Sequence, residues 1–249
     1  MNKPLIFISH ITEESELAIE IKDALEEAFL DKIEIFVSSD GDCIRLGEEW
    51  IDVIIESLRK SAIGIILISY KSVERRWINF EAGAFWMRNI PIIPIYHSGI
   101  TEHDVPIPIN IMQGKIISEL DSILMSISKE INVEINQVNI TEFNKKVNEL
   151  QEKYTFWDKV NENFEKIHNM DERITKYLKS KGVANLQVMK DELFNPIHNF
   201  LNNTLVKDGI ITIERYGGVD FTMDGTVKNY RFTLTTKGKE IVQHKNFKF

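Results

Sequence analysis

Cysteine, glycine and proline are all scarce in this chain of 249 residues, and each scarcity excludes a class of protein. The single cysteine, Cys43, excludes an internal disulfide and a metal site built from several cysteines, which agrees with a reducing compartment. Twelve glycines and six prolines are too few for a fibrous or low-complexity chain. Apolar residues make up 43% of the chain and charged residues 27%, so we expect a globular protein with a buried core.

Long hydrophobic runs are also missing. The longest, Ala62 to Ile68, has about a third of the length that a bilayer requires. The first ten residues, Met1 to His10, lack the basic and then apolar layout of a signal peptide. We therefore expect neither a membrane span nor secretion, and we place the protein in the cytoplasm.

Motifs for binding nucleotides or zinc are missing as well. No Gly-x-Gly-x-x-Gly follows the first predicted strand, so a dinucleotide-binding fold would lack its phosphate turn, and no Gly-Lys-Ser/Thr marks a nucleotide-triphosphate loop. The six histidines include no pair four residues apart, which gives no support for a zinc protease site. We expect neither a metal nor a bound cofactor.

Charge is distributed unevenly along the chain. The formal net charge is −8, but residues 1–140 carry −11 and residues 141–249 carry +3. This asymmetry predicts a domain boundary near residue 140. The acidic half should repel nucleic acid and the other half is only mildly basic, so bulk charge identifies no partner.

The first half alternates short apolar runs with helical patterns, which predicts an α/β fold with a flavodoxin-like, doubly wound, five-stranded parallel sheet. Parallel neighbours need crossover connections, and the predicted helices supply them. Ligands of such sheets bind beyond the carboxyl ends of the strands. The five predicted strands are Leu5–Ile8, Ile33–Val37, Ala62–Ser69, Pro91–Tyr96 and Lys115–Ser118.

A polar helix is predicted from Thr141 to about His168, with apolar residues at spacings of four and three. Such a seam packs either on its own domain or on a second copy of the chain, and the pattern leaves both open. We divide the chain into a first domain at residues 1–135, a linker helix at 136–170 and a small α+β domain at 171–249.

The last eighty residues show helices followed by a hairpin. Helical stretches are predicted at Glu172–Lys179 and Asn185–Lys207, the second interrupted near Pro196. Strands at Ile210–Tyr216 and Lys228–Thr235 flank a long loop, and Lys237–Gln243 is predicted as a last helix. This order resembles a winged-helix module, which predicts a sensing or oligomerisation domain.

Winged helices often bind DNA, but the charge of this segment does not favour it. The would-be recognition segment, Pro196 to Asp208, offers Lys207 as its only fixed cation. One cation is too few to neutralise several phosphates. We therefore do not expect DNA as a partner.

A candidate site follows the central predicted strand. Trp77 and Glu81 are four residues apart, so on a helix they share one face. The acid lies in Phe80-Glu81-Ala82-Gly83-Ala84, among apolar and small residues, where a purely solvated glutamate is unusual. Both side chains would point toward the strand ends.

Four sequence boxes over about residues 4 to 132 have the order and spacing found in TIR (Toll/interleukin-1 receptor) domains, and the chain resembles that family. The opening box is Phe7-Ile8-Ser9-His10. The second strand, the BB loop and the helix after it are matched by Phe36-Val37-Ser38-Ser39-Asp40, Ile44-x-x-Gly47-x-x-Trp50 and Ile55-x-x-Leu58. The remaining boxes are Ile66-Leu67-Ile68-Ser69 and Trp77-x-x-x-Glu81.

The resemblance implies an activity. Many bacterial TIR domains cleave NAD at the bond between nicotinamide and ribose, often as effectors of anti-phage defence, and release nicotinamide with ADP-ribose or a cyclised isomer. The family's catalytic acid falls on Glu81 and its substrate-packing aromatic on Trp77. NAD+ would then be the substrate and not a cofactor.

The resemblance also implies further residues around the pocket. Ser9 and His10 should border it, and Ser39 with Asp40 should enter it from the BB loop. A histidine at a strand end is more often a hydrogen-bonded rim residue than a general base, and an aspartate in such a loop more often shapes the turn. TIR domains commonly self-associate through the BB loop, here about Ser38 to Leu46, so assembly is expected to complete the site.

Two functions of other classes stay open. The chain could be a TIR scaffold that signals by self-association without catalysis, or a transcription regulator that uses its winged-helix-like part. A nucleoside deoxyribosyltransferase attacks a similar glycosidic bond, so nucleosides belong in a substrate screen.

Overall fold

The computed structural model describes residues 3–38, 50–188, 191–222 and 225–249. The chain forms two compact units, Met1–Lys153 and Tyr154–Phe249. One helix, α5 (Ile140–Met170), contains residues of both units. The partition into residues 1–135, 136–170 and 171–249 stays a prediction.

The first unit contains a five-stranded sheet in which every neighbouring pair is parallel. The strand order β2-β1-β3-β4-β5 confirms the predicted flavodoxin-like, doubly wound sheet. From β1 the chain adds β2 on one side and then β3, β4 and β5 on the other. The point between β1 and β3, where this order reverses, is where such sheets bind ligands. The strands are β1 (Leu5–Ser9), β2 (Glu34–Ser38), β3 (Ser61–Ile68), β4 (Ile92–Tyr96) and β5 (Lys115–Ile116).

Helices connect β1 to β2, β2 to β3 and β3 to β4, and a further helix follows β5, as predicted. In α1 the residues Leu17, Ile21 and Leu25 recur at intervals of four and are almost fully buried, so one stripe of the helix faces the sheet. The helices of this unit before α5 are α1 (Ser15–Phe29), α2 (Trp50–Lys60), α3 (Arg76–Met87) and α4 (Leu120–Ile131).

The central strand β3 brings α3 close to the sheet. Its residues from Ile65 to Ile68 are fully buried, as expected of a strand covered on both faces. A Cβ atom at Gly64 would lie 2.6 Å from the ring of Phe85 on α3. Glycine at this position therefore allows the close packing that fixes α3, the helix that carries Trp77 and Glu81.

The second unit contains a three-stranded antiparallel sheet in the order β6-β8-β7. Helices cover it around a core that includes Phe164, Phe194 and Phe232. The similarity to a winged-helix module stays a prediction. After α5 the elements are α6 (Glu172–Lys181), β6 (Val183–Val188), α7 (Asp191–Leu201), a π-helical turn (Asn202–Val206), β7 (Ile211–Thr222), β8 (Gly225–Leu234) and α8 (Thr236–Gln243).

The predicted helix over Asn185–Lys207 is wrong at its start, because Val183–Val188 forms a strand. Ala184 and Leu186 are buried while Asn185 and Gln187 are exposed, which is the two-residue period of a strand. The predicted interruption near Pro196 is also wrong, since α7 continues through this residue.

The hairpin of the second unit is longer than predicted. The segment Gly217-Gly218 was assigned to a loop, but it lies inside β7. The pairing of β7 with β8 shifts register between Tyr216 and Asp220, and Gly217 has a φ of 75°. A glycine with positive φ accommodates such an irregularity without breaking the strand.

Candidate functional site

Two serines meet at the carboxyl edge of the parallel sheet. Ser9 ends β1, Ser38 ends β2, and the two residues are paired in register. Side chains of in-register parallel neighbours point to the same face, so both hydroxyls are presented together. Ser9 and Ser38 are almost completely buried.

Helix α3 brings an acid and an indole to the same place. Trp77 lies in its first turn and Glu81 one turn later, as the four-residue spacing predicted. Glu81 is fully buried, whereas Trp77 is partly buried. The indole Nε1–H of Trp77 donates a hydrogen bond of 2.9 Å to Oε1 of Glu81.

Donors from three described elements, β1, β2 and α3, bind the Glu81 carboxylate. Besides Trp77, the hydroxyl of Ser38 donates to Oε1 at 2.8 Å and the hydroxyl of Ser9 donates to Oε2 at 2.5 Å. Hydrogen bonds to an ionised acceptor are short and strong, and they offset part of the cost of burying a carboxylate. The arrangement fixes both oxygens of one acid at the end of β1 and β2.

An aromatic pair lies beside this acid. The rings of Trp77 and Phe80 stack with centroids 5.0 Å apart and planes 29° apart. Phe80 is 48% exposed, so the pair offers apolar ring surface to solvent near the carboxylate. A planar substrate group can pack against such a surface.

The other predicted pocket residues differ in what the structure describes. His10 is buried directly after β1, and its Nδ1 lies 2.7 Å from the carbonyl oxygen of Ile11. Ser39 and Asp40 lie outside the described residues, as do Cys43 and the rest of the BB loop to Leu46. Arg75, directly before α3, donates to Glu13 at 2.8 Å.

Sequence reasoning missed Ser38 as a site residue, because it assigned the pocket to Ser39 and Asp40. The signal was present in the strand ends. Ser9 and Ser38 each close a predicted strand of one parallel sheet, and ends of neighbouring parallel strands meet at one edge.

A second buried polar cluster was also missed. Glu14 follows β1, Ser69 follows β3 and His97 follows β4, and all three are less than 10% exposed. The hydroxyl of Ser69 donates to Oε1 of Glu14 at 2.5 Å, and Nε2 of His97 lies 3.3 Å from the same oxygen. Ser69 ends a predicted strand, but nothing in the local sequence distinguishes Glu14 from a solvated acid at a helix start.

Two pKa shifts lie near the end of β4. Burial raises the pKa of the Tyr96 phenol, and the charge of Glu102 adds to the effect. Hydrogen bonds from the side chain and then the backbone of Thr101 lower the pKa of Asp104. Among the described residues, no three His, Cys, Asp or Glu side chains come together as a metal site would require.

A family model described as TIR domain matches residues 6–125. Among solved structures, the chain is similar to the TIR domains in a structure of the activated Roq1 resistosome directly recognizing the pathogen effector XopQ. The two are 11% identical, with a TM-score of 0.33, over 61% of this chain and 82% of that chain. The comparison with curated proteins gave no match.

No helix within the described ranges combines the length and apolar character needed to cross a membrane.

The sheet order, the matched family and the buried acid on α3 all concern the same part of the chain. Residues 6–125 therefore form a TIR domain.

Proposed function

We propose that the TIR domain of this chain cleaves the bond between nicotinamide and ribose in NAD+, with Glu81 as the catalytic carboxylate. We further propose that it acts as a bacterial anti-phage defence effector activated by self-assembly. The observation that carries the proposal is the buried carboxylate of Glu81, fixed by Ser9, Ser38 and Trp77 at the carboxyl edge of the sheet. Doubly wound folds bind ligands at this edge.

The chemistry requires one well-placed negative charge. When the bond between C1′ of the ribose and the pyridinium nitrogen breaks, its electron pair stays on nicotinamide, which leaves as a neutral molecule. The ribose becomes an oxocarbenium-like cation, so no general acid has to protonate the leaving group. A single carboxylate near the ribose hydroxyls stabilises this cation, unlike the paired carboxylates of ordinary glycosidases.

Product formation then follows at C1′. Water attacks this carbon and loses a proton, which gives ADP-ribose, or a nucleophilic group of the same molecule attacks and gives a cyclic isomer. The stacked rings of Trp77 and Phe80 would pack on the substrate and exclude water around the charge.

The burial of Glu81 supports the proposal that the unassembled domain is inactive. A carboxylate has about four positions for hydrogen-bond donors, and three donors of the chain already bind this one. A ribose hydroxyl has to reach one of the two carboxylate oxygens, and the full burial of Glu81 keeps a substrate away from them in this conformation. Assembly through the TIR domain and the BB loop would supply the rearrangement that admits NAD+.

Product analysis tests the proposal. Protein at several concentrations is incubated with NAD+, NADP+ and a nucleoside panel, and the products are separated and weighed by mass spectrometry. We expect nicotinamide with ADP-ribose or a cyclic isomer, and a specific activity that rises with protein concentration. Protein that is assembled, as measured by light scattering, and still leaves NAD+ intact would overturn the proposal.

One observation favours a second function, a non-catalytic TIR scaffold. Glu81 is fully buried and its oxygens are bound by the chain's own donors, as in an acid that only holds strand ends together. A scaffold predicts that Glu81→Gln keeps full biological activity wherever the variant still assembles. If the protein is an enzyme, we expect Glu81→Gln to assemble normally and to lose its biological activity.

A further inference from the structure

Glu14 is a buried acid, although it lies at the start of a helix. Glu14 is 3% exposed. Oε1 accepts the hydroxyl of Ser69 at 2.5 Å and lies 3.3 Å from Nε2 of His97. Within the described part of the chain, Oε2 has no hydrogen-bond partner.

Such a group is costly for the fold. Burying a carboxylate without full hydrogen bonding lowers stability, and a well-packed apolar side chain of similar size would be cheaper. Core packing therefore does not explain an acid at position 14. The contacts of Glu14 do explain it. Both lie at the ends of neighbouring strands, Ser69 after β3 and His97 after β4.

Ser69 organises the turn that follows β3. Its hydroxyl hydrogen is used by Glu14, and its oxygen accepts the backbone N–H groups of Lys71 at 3.2 Å and Ser72 at 3.1 Å. In return, the hydroxyl of Ser72 accepts the backbone N–H of Ser69 at 2.7 Å and donates to the carbonyl of Leu67 at 3.0 Å. Glu14 thus fixes the rotamer around which the whole turn is built.

The turn leads without interruption into the catalytic helix. The backbone N–H of Arg75 donates to the carbonyl of Ser72 at 3.0 Å, and α3 begins at the next residue. The side-chain amide of Asn79 donates to the carbonyls of Val73 and Arg75, which ties the first turn of α3 to the same segment. Trp77 and Glu81 lie on the helix that this segment places.

We propose that Glu14 is a positioning residue for Glu81: through Ser69 it sets the start of α3 against the end of β1, and so the place of the Glu81 carboxylate relative to Ser9. The proposal rests on the proposed NAD+ cleavage for its kinetic consequence. Glu14 itself touches neither substrate nor reacting atoms. We expect the loss of Glu14 to lower kcat and not to raise KM. The chemical step is sensitive to a misplacement of the Glu81 carboxylate by about 1 Å, while substrate packing on the aromatic surface is not.

The kinetic arm compares Glu14→Ala and Glu14→Gln with an acid-to-amide control, Glu16→Gln. Glu16 is a half-buried residue in the first turn of α1, two residues after Glu14, and it pairs with Lys153. Rates are expressed per folded molecule, from circular dichroism of each sample. We expect Glu14→Ala to lower kcat by about tenfold or more with less than about a threefold change in KM. Glu14→Gln, whose amide oxygen can still accept the Ser69 hydroxyl, should fall between this variant and the wild type, and Glu16→Gln should match the wild type.

A second arm needs no activity. The Nε1–H of Trp77, which donates to Glu81, gives an indole resonance that Trp77→Phe identifies by its loss. We expect faster hydrogen exchange and a changed chemical shift of this resonance in Glu14→Ala, and no change in Glu16→Gln. If wild-type protein releases no nicotinamide, the proposed function fails, and the indole resonance alone decides the role of Glu14.

A serine pair covers the case in which Glu14→Ala does not fold. Ser69→Ala removes the hydroxyl that links Glu14 to the turn, whereas Ser69→Thr keeps it. The proposal requires that Ser69→Ala repeats the loss of kcat and the faster indole exchange, and that Ser69→Thr restores both. If Glu14 only stabilised the fold, the variants would be less stable but would keep the wild-type kcat per folded molecule and an unchanged indole resonance. That result would overturn the proposal.

Discussion

The indole of Trp77 and the carboxylate of Glu81 are joined by a hydrogen bond of 2.9 Å to Oε1, the same oxygen that accepts Ser38. This bond fixes the plane of the indole, which also stacks on Phe80. The aromatic surface and the acid are therefore one rigid group on α3. A substrate ring that packs on the indole is placed at a defined distance from the charge.

Trp77→Phe separates the two roles of the indole. Phenylalanine keeps an aromatic face but cannot donate to Glu81, and a hydrogen bond to a charged group corresponds to about a tenfold change in rate. We expect kcat to fall by about tenfold with KM nearly unchanged, measured from initial rates of nicotinamide release. Trp77→Ala should raise KM as well, because it also removes the packing surface. Equal KM values in both variants would contradict a packing role for Trp77.

Ser9→Ala tests the hydrogen bonding of the buried acid through stability. The change removes the donor at 2.5 Å from Oε2 of Glu81, and the loss of a hydrogen bond to a charged group costs about 1.5–3 kcal/mol of unfolding free energy. Urea unfolding followed by circular dichroism measures the loss. Ser126→Ala is the matched control, since this exposed serine on α4 donates only to the carbonyl one turn earlier. Similar stability in both variants would mean that Ser9 does not support the carboxylate.

Asp171 gives a pH dependence in the second unit. It caps α6 by accepting the backbone N–H of Arg173, and hydrogen bonds from the Arg173 side chain lower the pKa of Asp171. A lowered pKa in the folded state stabilises the fold above the unfolded pKa of about 3.9, and this contribution is lost as the pH falls through the folded pKa.

Asp171→Asn keeps a capping oxygen but removes the charge. The difference in unfolding free energy between wild type and variant should be largest from pH 5 to 7 and should shrink below about pH 4. Urea unfolding at each pH measures it. A difference that is constant down to pH 2 would show that the charge of Asp171 contributes nothing.

Self-assembly predicts a concentration dependence. The family resemblance assigns subunit contact to the BB loop, and Asp42→Lys reverses a charge there, although Asp42 lies outside the described residues. We expect the variant to need a higher protein concentration for the same rate of NAD+ cleavage while its melting temperature stays that of the wild type. Rates proportional to concentration in both proteins would point to a self-contained site.

The sheet of the first unit was predictable because its physical signal is local. Strands such as Leu5–Ser9 and Ser61–Ile68 are continuous apolar runs, and the helices between them have one apolar stripe. The strand Val183–Val188 was missed because only Ala184, Leu186 and the half-buried Val188 mark its alternation. The residues that pair with it on β8 lie 40 to 50 positions further along the chain, from Val188 with Lys228 to Val183 with Thr233, so the pairing that decides its conformation is not local.

The site shows the same limit. Trp77 and Glu81 could be paired from sequence, because a spacing of four on a helix fixes their relative position. Ser38 could be placed at the sheet edge as a strand end, but its bond to Glu81, 43 residues away, could not be predicted, and neither could the bond between Glu14 and Ser69, which are 55 residues apart. Only the assembled sheet edge brings these groups within hydrogen-bond distance.

The most direct test of the central claim is the rate of nicotinamide release from NAD+ by wild-type protein and by Glu81→Gln, at equal concentrations and with equal assembly by light scattering. Glutamine keeps the size of the side chain but carries no charge to stabilise the ribose cation. The account predicts rapid release by the wild type and a loss of at least about a hundredfold in the variant, with similar melting temperatures. Equal rates of nicotinamide release in the two proteins would contradict it.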